Sequence, residues 1–179
     1  MAPCIGEKAD KSKMQIMGLE NDARWNMWGS NPQFILNDNL DQFGEWEPIP
    51  ASFTIDLGVT LKLSRITHFH RSDYFHPLER GNPKLYEIYG YYGDGEPSNS
   101  GDWSEWTLIL EHEEMLPVSG GSIGWTMADI DVVRVHGQMV EIPLSAEPIR
   151  YFRMKVLATW GNTTFAHITR LDFYGEILD

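Results

Sequence analysis

The sequence predicts an all-β domain, an antiparallel β-sandwich of the jelly-roll type. Many short segments alternate apolar and polar residues, and each is bounded by Gly, Pro, Asn, Asp or Ser, which is typical of strands joined by turns. No repeat with a period of about 20 to 50 residues is present, which argues against propellers and solenoids. The 179 residues, 42% of them hydrophobic, suffice for one domain with a packed core.

The first two strands are predicted in SFTIDLG (52–58), where every second residue is apolar until Gly58, and in LKLSRITHFHR (61–71), which resumes after a short break. Further strands are predicted in PKLYEIYGYY (83–92), EWTLILE (105–111), QMVEIPL (138–144), YFRMKVLAT (151–159) and ITRLDFYG (168–175). The acidic, glycine-rich YGDGEPSNSGDW (92–103) predicts an exposed loop. One short helical turn is expected where Asn31 precedes Pro32, because Pro is favoured at the first helical position.

The polar start of the chain, MAPCIGEKADKSK, has no periodicity and predicts a leader or interdomain linker. We therefore expect residues 1–18 to lie outside the domain, residues 19–179 to form it, and further domains of a longer parent chain to precede it. The single Cys4 cannot form an internal disulfide and is expected to be a stray thiol, because a lipidated Cys would need an apolar segment before it.

The charge of the chain limits its partners. A net charge of −12 and a pI near 4.8, with no basic stripe, disfavour nucleic acid and anionic membrane surfaces. No apolar run reaches membrane-spanning length, so no membrane contact by this domain is expected. Neutral ligands are not penalised by the charge.

An ordered set of phrases links the chain to a known superfamily. FTIDLG, ITHFHR, NPKLYEIYG, RYFRMKVLATWG and FAHITRLDFYG occur in this order. The chain resembles the galactose-binding-like domains, the superfamily of the discoidin or coagulation-factor C-type modules and of many carbohydrate-binding modules. More narrowly, it is similar to the C-terminal domains of surface lipoproteins from gut Bacteroidetes.

This resemblance implies a function as well as a fold. It implies a non-catalytic carbohydrate-binding module of a bacterial cell-surface protein that captures glycans for polysaccharide utilisation. The partner would be a neutral glycan or oligosaccharide, and the parent an outer-membrane lipoprotein. The alternative is a protein–protein scaffold domain that packs against other domains of its parent. Because the superfamily binds sugars, lipids and proteins, the fold alone does not choose between them.

The resemblance also supplies candidate ligand-binding residues. Arg71 and Asn82 match the positions of an Arg and an Asn that hydrogen-bond sugar hydroxyls in sugar-binding members, and Phe165 matches an aromatic that stacks on the sugar. A guanidinium offers a rigid fork of donors and an amide both donates and accepts, which suits vicinal hydroxyls. Tyr74 or Phe75 would form walls. For Asn82 an alternative stands: it precedes Pro83 and shapes the turn.

Two further candidates come from the loops. The nine-residue loop TWGNTTFAH (159–167) is longer and more aromatic than a turn requires, so Trp160 joins Phe165 as a candidate, although capping the core is the alternative for Trp160. Sugar-binding members often carry Trp-His before the IDLG strand, where this chain has Trp46-Glu47. Glu47 is therefore a candidate acceptor for hydroxyls, and Trp46 is expected in the core.

Catalysis and metal binding are not predicted. The chain has no P-loop or H-E-x-x-H motif, and acidic residues such as those of EHEE (111–114) are expected to be solvated rather than a glycosidase pair. His68, His70 and His76 cluster in THFHRSDYFHP, and His68 and His70 lie on one side of a strand. Because these two lack a third well-placed ligand, contacts with neighbouring strands or solvent are expected instead of a metal.

The resemblance raises the question of calcium. The superfamily commonly holds a structural calcium ion between an early loop and a Glu of the last strand. Here the early loop offers Asp38, but the Glu position is Arg170. A cation there removes a hard oxygen ligand, so no calcium, or a weakly bound one near Asp38, is expected, with Arg170 paired to Asp38 instead.

Overall fold

The computed structural model of the protein describes residues 6–25, 29–71, 78–115 and 126–178. Within these ranges the chain forms eleven strands: β1 (Glu7–Lys8), β2 (Gln15–Met17), β3 (Arg24–Trp25), β4 (Gly44–Glu47), β5 (Ala51–Phe69), β6 (Pro83–Tyr91), β7 (Trp106–Glu113), β8 (Gln138–Glu141), β9 (Ile149–Thr159), β10 (Ala166–Ile168) and β11 (Arg170–Ile177). The helical pieces are 3-10 turns at Lys11–Lys13, Pro32–Leu36 and Trp103–Glu105, the helix α1 (Met127–Ile130) and a π-helical turn, Asp131–His136.

The strands form an antiparallel sandwich, which confirms the predicted fold class. The larger sheet has the order β1-β11-β5-β9-β6-β7, with β2 and β8 also paired to β5, and the smaller sheet has the order β10-β4-β3. Phe152 of β9 and Phe173 of β11 meet edge to face across the core, with ring centroids 5.1 Å apart. Trp46 stacks on Phe53 at 4.4 Å and is buried, as expected for a core residue.

Strand β5 runs through the region predicted as two strands. Its first part, 51–56, pairs with β2 and β9, and its second part, 61–69, pairs with β11 and β8. At the predicted break the strand bends at Gly58, which has a φ of 71°. A Cβ at this position would lie 2.5 Å from the carbonyl oxygen of Lys13, so glycine is required there. Because of this bend, one long strand contributes to both faces of the sandwich.

The structure corrects the predicted start of the domain. Strand β1 pairs with β11, strand β2 pairs with β5, and Ala9 and Met14 are buried in the core. Residues 7–17 therefore belong to the sandwich rather than to a linker. The prediction missed them because their strands are two and three residues long, too short to show a periodicity. Cys4 lies outside the described residues, and the division of a longer parent chain stays a prediction.

The predicted helical turn is present. The side chain of Asn31 accepts a hydrogen bond from the backbone N–H of Gln33 at 3.0 Å and so caps the 3-10 turn that Pro32 opens. Ile35 and Leu36 bury their side chains against the core, which anchors the early loop. None of the helical segments in the described ranges has the length and apolar character needed to cross a bilayer.

Candidate functional site

One end of the sandwich brings together the predicted Arg and Asn. It is formed by the end of β5, the start of β6 and the loop between β9 and β10, and we call it the Arg71 pole. The Asn82 amide bonds to the backbone of Arg71 in both directions: its oxygen accepts from the N–H at 2.9 Å, and its nitrogen donates to the carbonyl at 2.8 Å. Since Asn82 is fully buried, this arrangement favours the alternative that it shapes the turn.

The last loop is tied to the same backbone segment by three hydrogen bonds. The backbone N–H groups of Trp160, Gly161 and His167 donate to the carbonyl oxygens of Asn82, Arg80 and Gly81, each at 2.9 Å. The loop between β9 and β10 is thus fixed against the segment that precedes β6. This backbone pairing explains why the two predicted loops converge at one end of the domain.

Arg71 and Phe165 flank a buried histidine. The Arg71 guanidinium lies 3.5 Å from the centre of the Phe43 ring, and Phe43 meets His167 edge to face at 6.2 Å. Phe165 lies 5.9 Å from the His167 ring and is half-buried. A Cβ on Gly81 would lie 2.8 Å from the Phe165 ring, so any larger residue at position 81 would displace this ring. The pole therefore combines aromatic rings with a rigidly placed guanidinium.

Glu47 lies on the same side of the smaller sheet. Strand β4 pairs with β10 so that Trp46 opposes Ala166 and Glu45 opposes His167. Glu47 ends β4 two residues after Glu45, so alternation puts it on the face that carries Glu45 and His167, where it opposes Arg24 of β3. A carboxylate here can accept hydrogen bonds from hydroxyl groups at the rim of the pole.

Beneath the pole lies a buried carboxylate that the sequence did not single out. Glu114 follows β7, and its side chain is fully buried. One of its oxygens contacts Nδ1 of His68 at 2.7 Å and the Tyr86 hydroxyl at 3.5 Å, and the other contacts Nε2 of His70 at 2.6 Å and the Trp160 indole N–H at 3.1 Å. The expectation that the EHEE acids are solvated is wrong for Glu114, because four polar groups compensate its burial.

The Glu114 network orients Trp160, one of the predicted site residues. The Trp160 indole N–H points inward to Glu114, while the ammonium of Lys84 lies 5.1 Å from the centre of the Trp160 ring. Trp160 is half-buried, so it covers the network and keeps part of its ring accessible at the pole. This supports the alternative that Trp160 caps the core.

His68, His70 and Glu114 form a group compact enough to hold a metal ion, since their ligand atoms lie within 4.8 Å of one another. Two imidazoles and a carboxylate are a donor set that zinc uses. In this network, however, each ligand nitrogen is within hydrogen-bond distance of the carboxylate, and two more donors reach it. The expectation that His68 and His70 lack a third well-placed ligand is therefore wrong, because Glu114 fills that place, and the hydrogen bonds account for the close approach of the three side chains. His76 lies outside the described residues.

Burial sets the protonation of these groups. Burial, followed by the charge of Arg71, lowers the pKa of His167 to about 3, and burial lowers that of His68 despite the opposing Glu114 carboxylate. Burial alone would raise the pKa of Glu114, but the two histidines hold it well below its usual value. The folded domain therefore keeps His167 and His68 neutral and Glu114 ionised.

These shifts predict acid sensitivity. Because the unfolded chain binds protons at histidine below pH 6.5 while folded His167 does so only near pH 3, the free energy of unfolding falls as the pH is lowered through this window. His68 acts in the same direction below pH 6.5, by at most about 1.4 kcal/mol per pH unit, whereas the lowered pKa of Glu114 adds to the loss only below about pH 4.5. Urea unfolding at several pH values between 7 and 4.5 measures the slope of the free energy of unfolding against pH. His167→Gln should reduce it, the exposed His136→Gln should not, and a flat profile would contradict the assignment.

The calcium position is occupied by basic side chains. The Lys11 ammonium lies 2.6 Å from Asp172 and 2.9 Å from Asp38, and within 3.5 Å of the carbonyl oxygens of Leu171 and Asn37. The predicted proximity of Arg170 and Asp38 is confirmed at 3.4 Å. A calcium ion needs these oxygens for itself and would meet two cations beside it. The residues present therefore do not fit calcium.

The structure brings together Arg71, Asn82, Phe165 and Trp160, with Glu47 at the rim, as the sequence proposed. Tyr74 and Phe75 lie outside the described residues. Sequence reasoning missed Phe43, Gly81, His167 and Glu114. For His167 a signal existed, because it is two residues from Phe165 on a strand and so lies on the same face.

A family model for DUF5000, described as a domain of unknown function, matches residues 37–175. The chain belongs to this family. Among solved structures, this DUF5000 domain is similar to a SusE-like protein, with a TM-score of 0.84 and 30% sequence identity over 94% of this chain and 100% of that one. None of the curated proteins matches the chain.

The DUF5000 domain also shares its fold with carbohydrate-binding modules. The family 32 module of Clostridium perfringens NanJ, solved in complex with galactose, has a TM-score of 0.64 at 16% identity, over 95% of this chain and 99% of that one. The C-terminal domain of a Bacteroides fragilis chitobiase has a TM-score of 0.65 at 15% identity, over 97% and 100%. These likenesses confirm a galactose-binding-like fold for the DUF5000 domain.

Proposed function

We propose that this domain is a non-catalytic carbohydrate-binding module that captures neutral glycans at the Arg71 pole, as part of an extracellular or cell-surface protein. The observation that carries the proposal is the convergence of Arg71 and Phe165 around the buried His167, with Glu47 on the same face of the smaller sheet, on a fold shared with a galactose-bound module. Similarity to a SusE-like protein supports a surface location and a glycan-capturing parent.

The chemistry of the pole suits a sugar. The apolar face of a pyranose packs on the Phe165 ring, while its hydroxyls need donors and acceptors. Arg71 is held from below by the Phe43 ring and through its backbone by Asn82, so its donors are directed with little loss of conformational entropy. Glu47 supplies an acceptor. Asn82 acts indirectly, by fixing the position of Arg71.

The ligand should be uncharged. The chain carries a net charge of −12, and Glu45, Glu47 and Glu79 lie near the pole, so an anionic sugar gains little from a single guanidinium. The affinity for one sugar unit should be on the order of millimolar, because each hydrogen bond replaces one to water. Useful capture then depends on several units of a polymer.

Titration of galactose-type and other neutral oligosaccharides tests the proposal. Arg71→Ala is expected to weaken binding about tenfold or more, because it removes a charged donor to the ligand. Arg65→Gln is the matched control, since the Arg65 guanidinium also stacks on a ring, that of Tyr174 at 4.0 Å, but lies about 20 Å along the same strand. Binding that survives Arg71→Ala unchanged would remove this site. Failure of the whole neutral panel would favour a scaffold domain.

A further inference from the structure

A second candidate site lies at the opposite end of the sandwich. There the residues Thr60, Tyr91, Tyr92, Gly93, Gly95, Pro148, Arg150 and Tyr151 line an open groove of about 400 Å³, which we call the tyrosine groove. Strand β6 starts beside Asn82 and ends at Tyr91, so about 26 Å of strand separate this groove from the Arg71 pole. A ligand in the groove makes no contact with Arg71 or Phe165.

The walls of the groove are aromatic and held in place. Tyr91 meets Tyr151 edge to face at 5.9 Å and Trp106 at 5.8 Å. A Cβ on Gly93 would lie 2.4 Å from the Tyr91 hydroxyl, so glycine is required for the phenol to reach its position. Tyr92 is 40% exposed, which leaves a large part of its ring to solvent. The groove thus offers rigid apolar faces together with phenol groups.

Its polar groups are arranged for hydroxyl ligands. Arg150 binds Asp56 through two hydrogen bonds of 2.9 and 3.0 Å, which fix the plane of the guanidinium and leave its second terminal nitrogen out of this pairing. The Tyr91 and Tyr92 hydroxyls reach only backbone carbonyls at 3.4 to 3.5 Å, at the limit of a hydrogen bond. Replacing these long hydrogen bonds by hydrogen bonds to a ligand hydroxyl costs little free energy.

The charges of the groove favour a neutral ligand. The Arg150–Asp56 pair is neutral as a unit, and the carboxylate of Glu96 acts electrostatically on both Arg150 and Tyr151. Among the described residues that line the groove, the cation is Arg150, which is already paired with Asp56, so an anion would gain little there. A sugar, with one apolar face and several hydroxyls, matches rings beside the fixed terminal nitrogen of Arg150 that lies outside the Asp56 pairing.

The tyrosine groove continues on the other side of Tyr92. A second groove of about 260 Å³, lined by Tyr92, Leu108, Ile109, Pro143, Ser145 and Glu147 among others, meets the first at Tyr92. Tyr92 thus forms a ridge between two depressions, and a chain of sugar units could cross it. This extended shape favours an oligosaccharide over a monosaccharide.

We propose that the tyrosine groove is a second carbohydrate-binding site, which takes a neutral oligosaccharide across Tyr92 with Arg150 as the hydroxyl donor. The inference goes beyond the Arg71 pole and does not require a ligand there. If both sites bind, one domain engages a polysaccharide at two points, which raises its avidity without a second domain.

Chemical-shift titration of the 15N-labelled domain with neutral oligosaccharides tests this. Amide signals of residues 91–95 and 149–151 should shift in the wild type and in Arg71→Ala, whereas Tyr92→Ala should weaken binding there on the order of tenfold. Tyr174→Ala, on β11, is the control that should leave these shifts unchanged. No shifts at 91–95 with any of the oligosaccharides, or shifts unaffected by Tyr92→Ala, would overturn the proposal.

The same titration separates the two proposals. Shifts confined to the tyrosine groove would contradict sugar binding at the Arg71 pole and keep the second site. Shifts confined to the Arg71 pole would contradict sugar binding in the tyrosine groove and keep the site at the pole. Arg150→Gln adds a check, because it removes the guanidinium donor while leaving the rings, and it should also weaken binding in the groove.

Discussion

Replacing Glu114 by alanine is expected to lower the free energy of unfolding by about 3 to 5 kcal/mol. The carboxylate is fully buried and meets four polar groups, from His68, His70, Tyr86 and Trp160. Its removal leaves these groups in a dry interior with a cavity beside them, and each lost partner costs desolvation that nothing repays. For a domain of this size the midpoint of thermal unfolding should fall by about 10 °C or more.

Matched variants make this test specific. Glu113→Ala, at the exposed neighbouring position, should change the midpoint by less than a degree or two, because surface substitutions typically cost less than about 0.5 kcal/mol. Glu114→Gln should be intermediate, since an amide still accepts from one side but presents a donor to donors on the other. A Glu114→Ala variant as stable as Glu113→Ala would show that the network does not hold the strand ends together.

Replacing Lys11 by methionine is the second change with a large expected effect. The Lys11 ammonium is 7% exposed and lies among four oxygens, including the buried Asp172 at 2.6 Å. Methionine keeps the apolar stem but removes the cation, and Arg170 and Lys8 compensate the Asp172 charge only in part. We expect a loss of about 2 kcal/mol in the free energy of unfolding, measured by urea denaturation. Lys13→Met, in the same turn but exposed, is the control.

The same cluster predicts independence from calcium. Since basic side chains occupy the oxygen cage, adding calcium or a chelator should leave the thermal midpoint of the wild type unchanged. A chelator-induced fall of several degrees, or tight calcium binding by calorimetry, would contradict the interpretation of Lys11 and Arg170 as the internal cations of the fold.

The fold was predictable because its signals are local. Alternation in SFTIDLG and YFRMKVLAT predicts strands, although the structure buries both faces of their central parts, and Asn31-Pro32 predicts a capped turn. Signals that depend on partners distant in sequence were lost. Strand β1 pairs with β11 at the far end of the chain and β2 pairs with β5, and segments of two or three residues are too short to indicate such pairing. The continuity of β5 across Gly58 is likewise set by neighbouring strands.

In the candidate site, too, local signals were predictable and contacts between residues distant in sequence were not. Arg71 and Phe165 could be proposed from position and chemistry, and the backbone bonds between residues 80–82 and the last loop explain why they converge. Glu114 could not be proposed, because an acidic residue in EHEE looks solvated unless its four partners are known. The turn-shaping role of Asn82 also became apparent only from its bonds to Arg71.

The most direct test of the central claim is a map of where a neutral glycan contacts the domain. Titration of a galactose-type disaccharide into the 15N-labelled protein should shift the amide signals of Phe43, Glu47, Arg71, Gly81, Phe165 and His167, with a dissociation constant on the order of millimolar. These residues lie on separate strands and loops that meet only at the Arg71 pole. A titration that leaves all six signals in place, for this disaccharide and for other neutral glycans, would contradict the account.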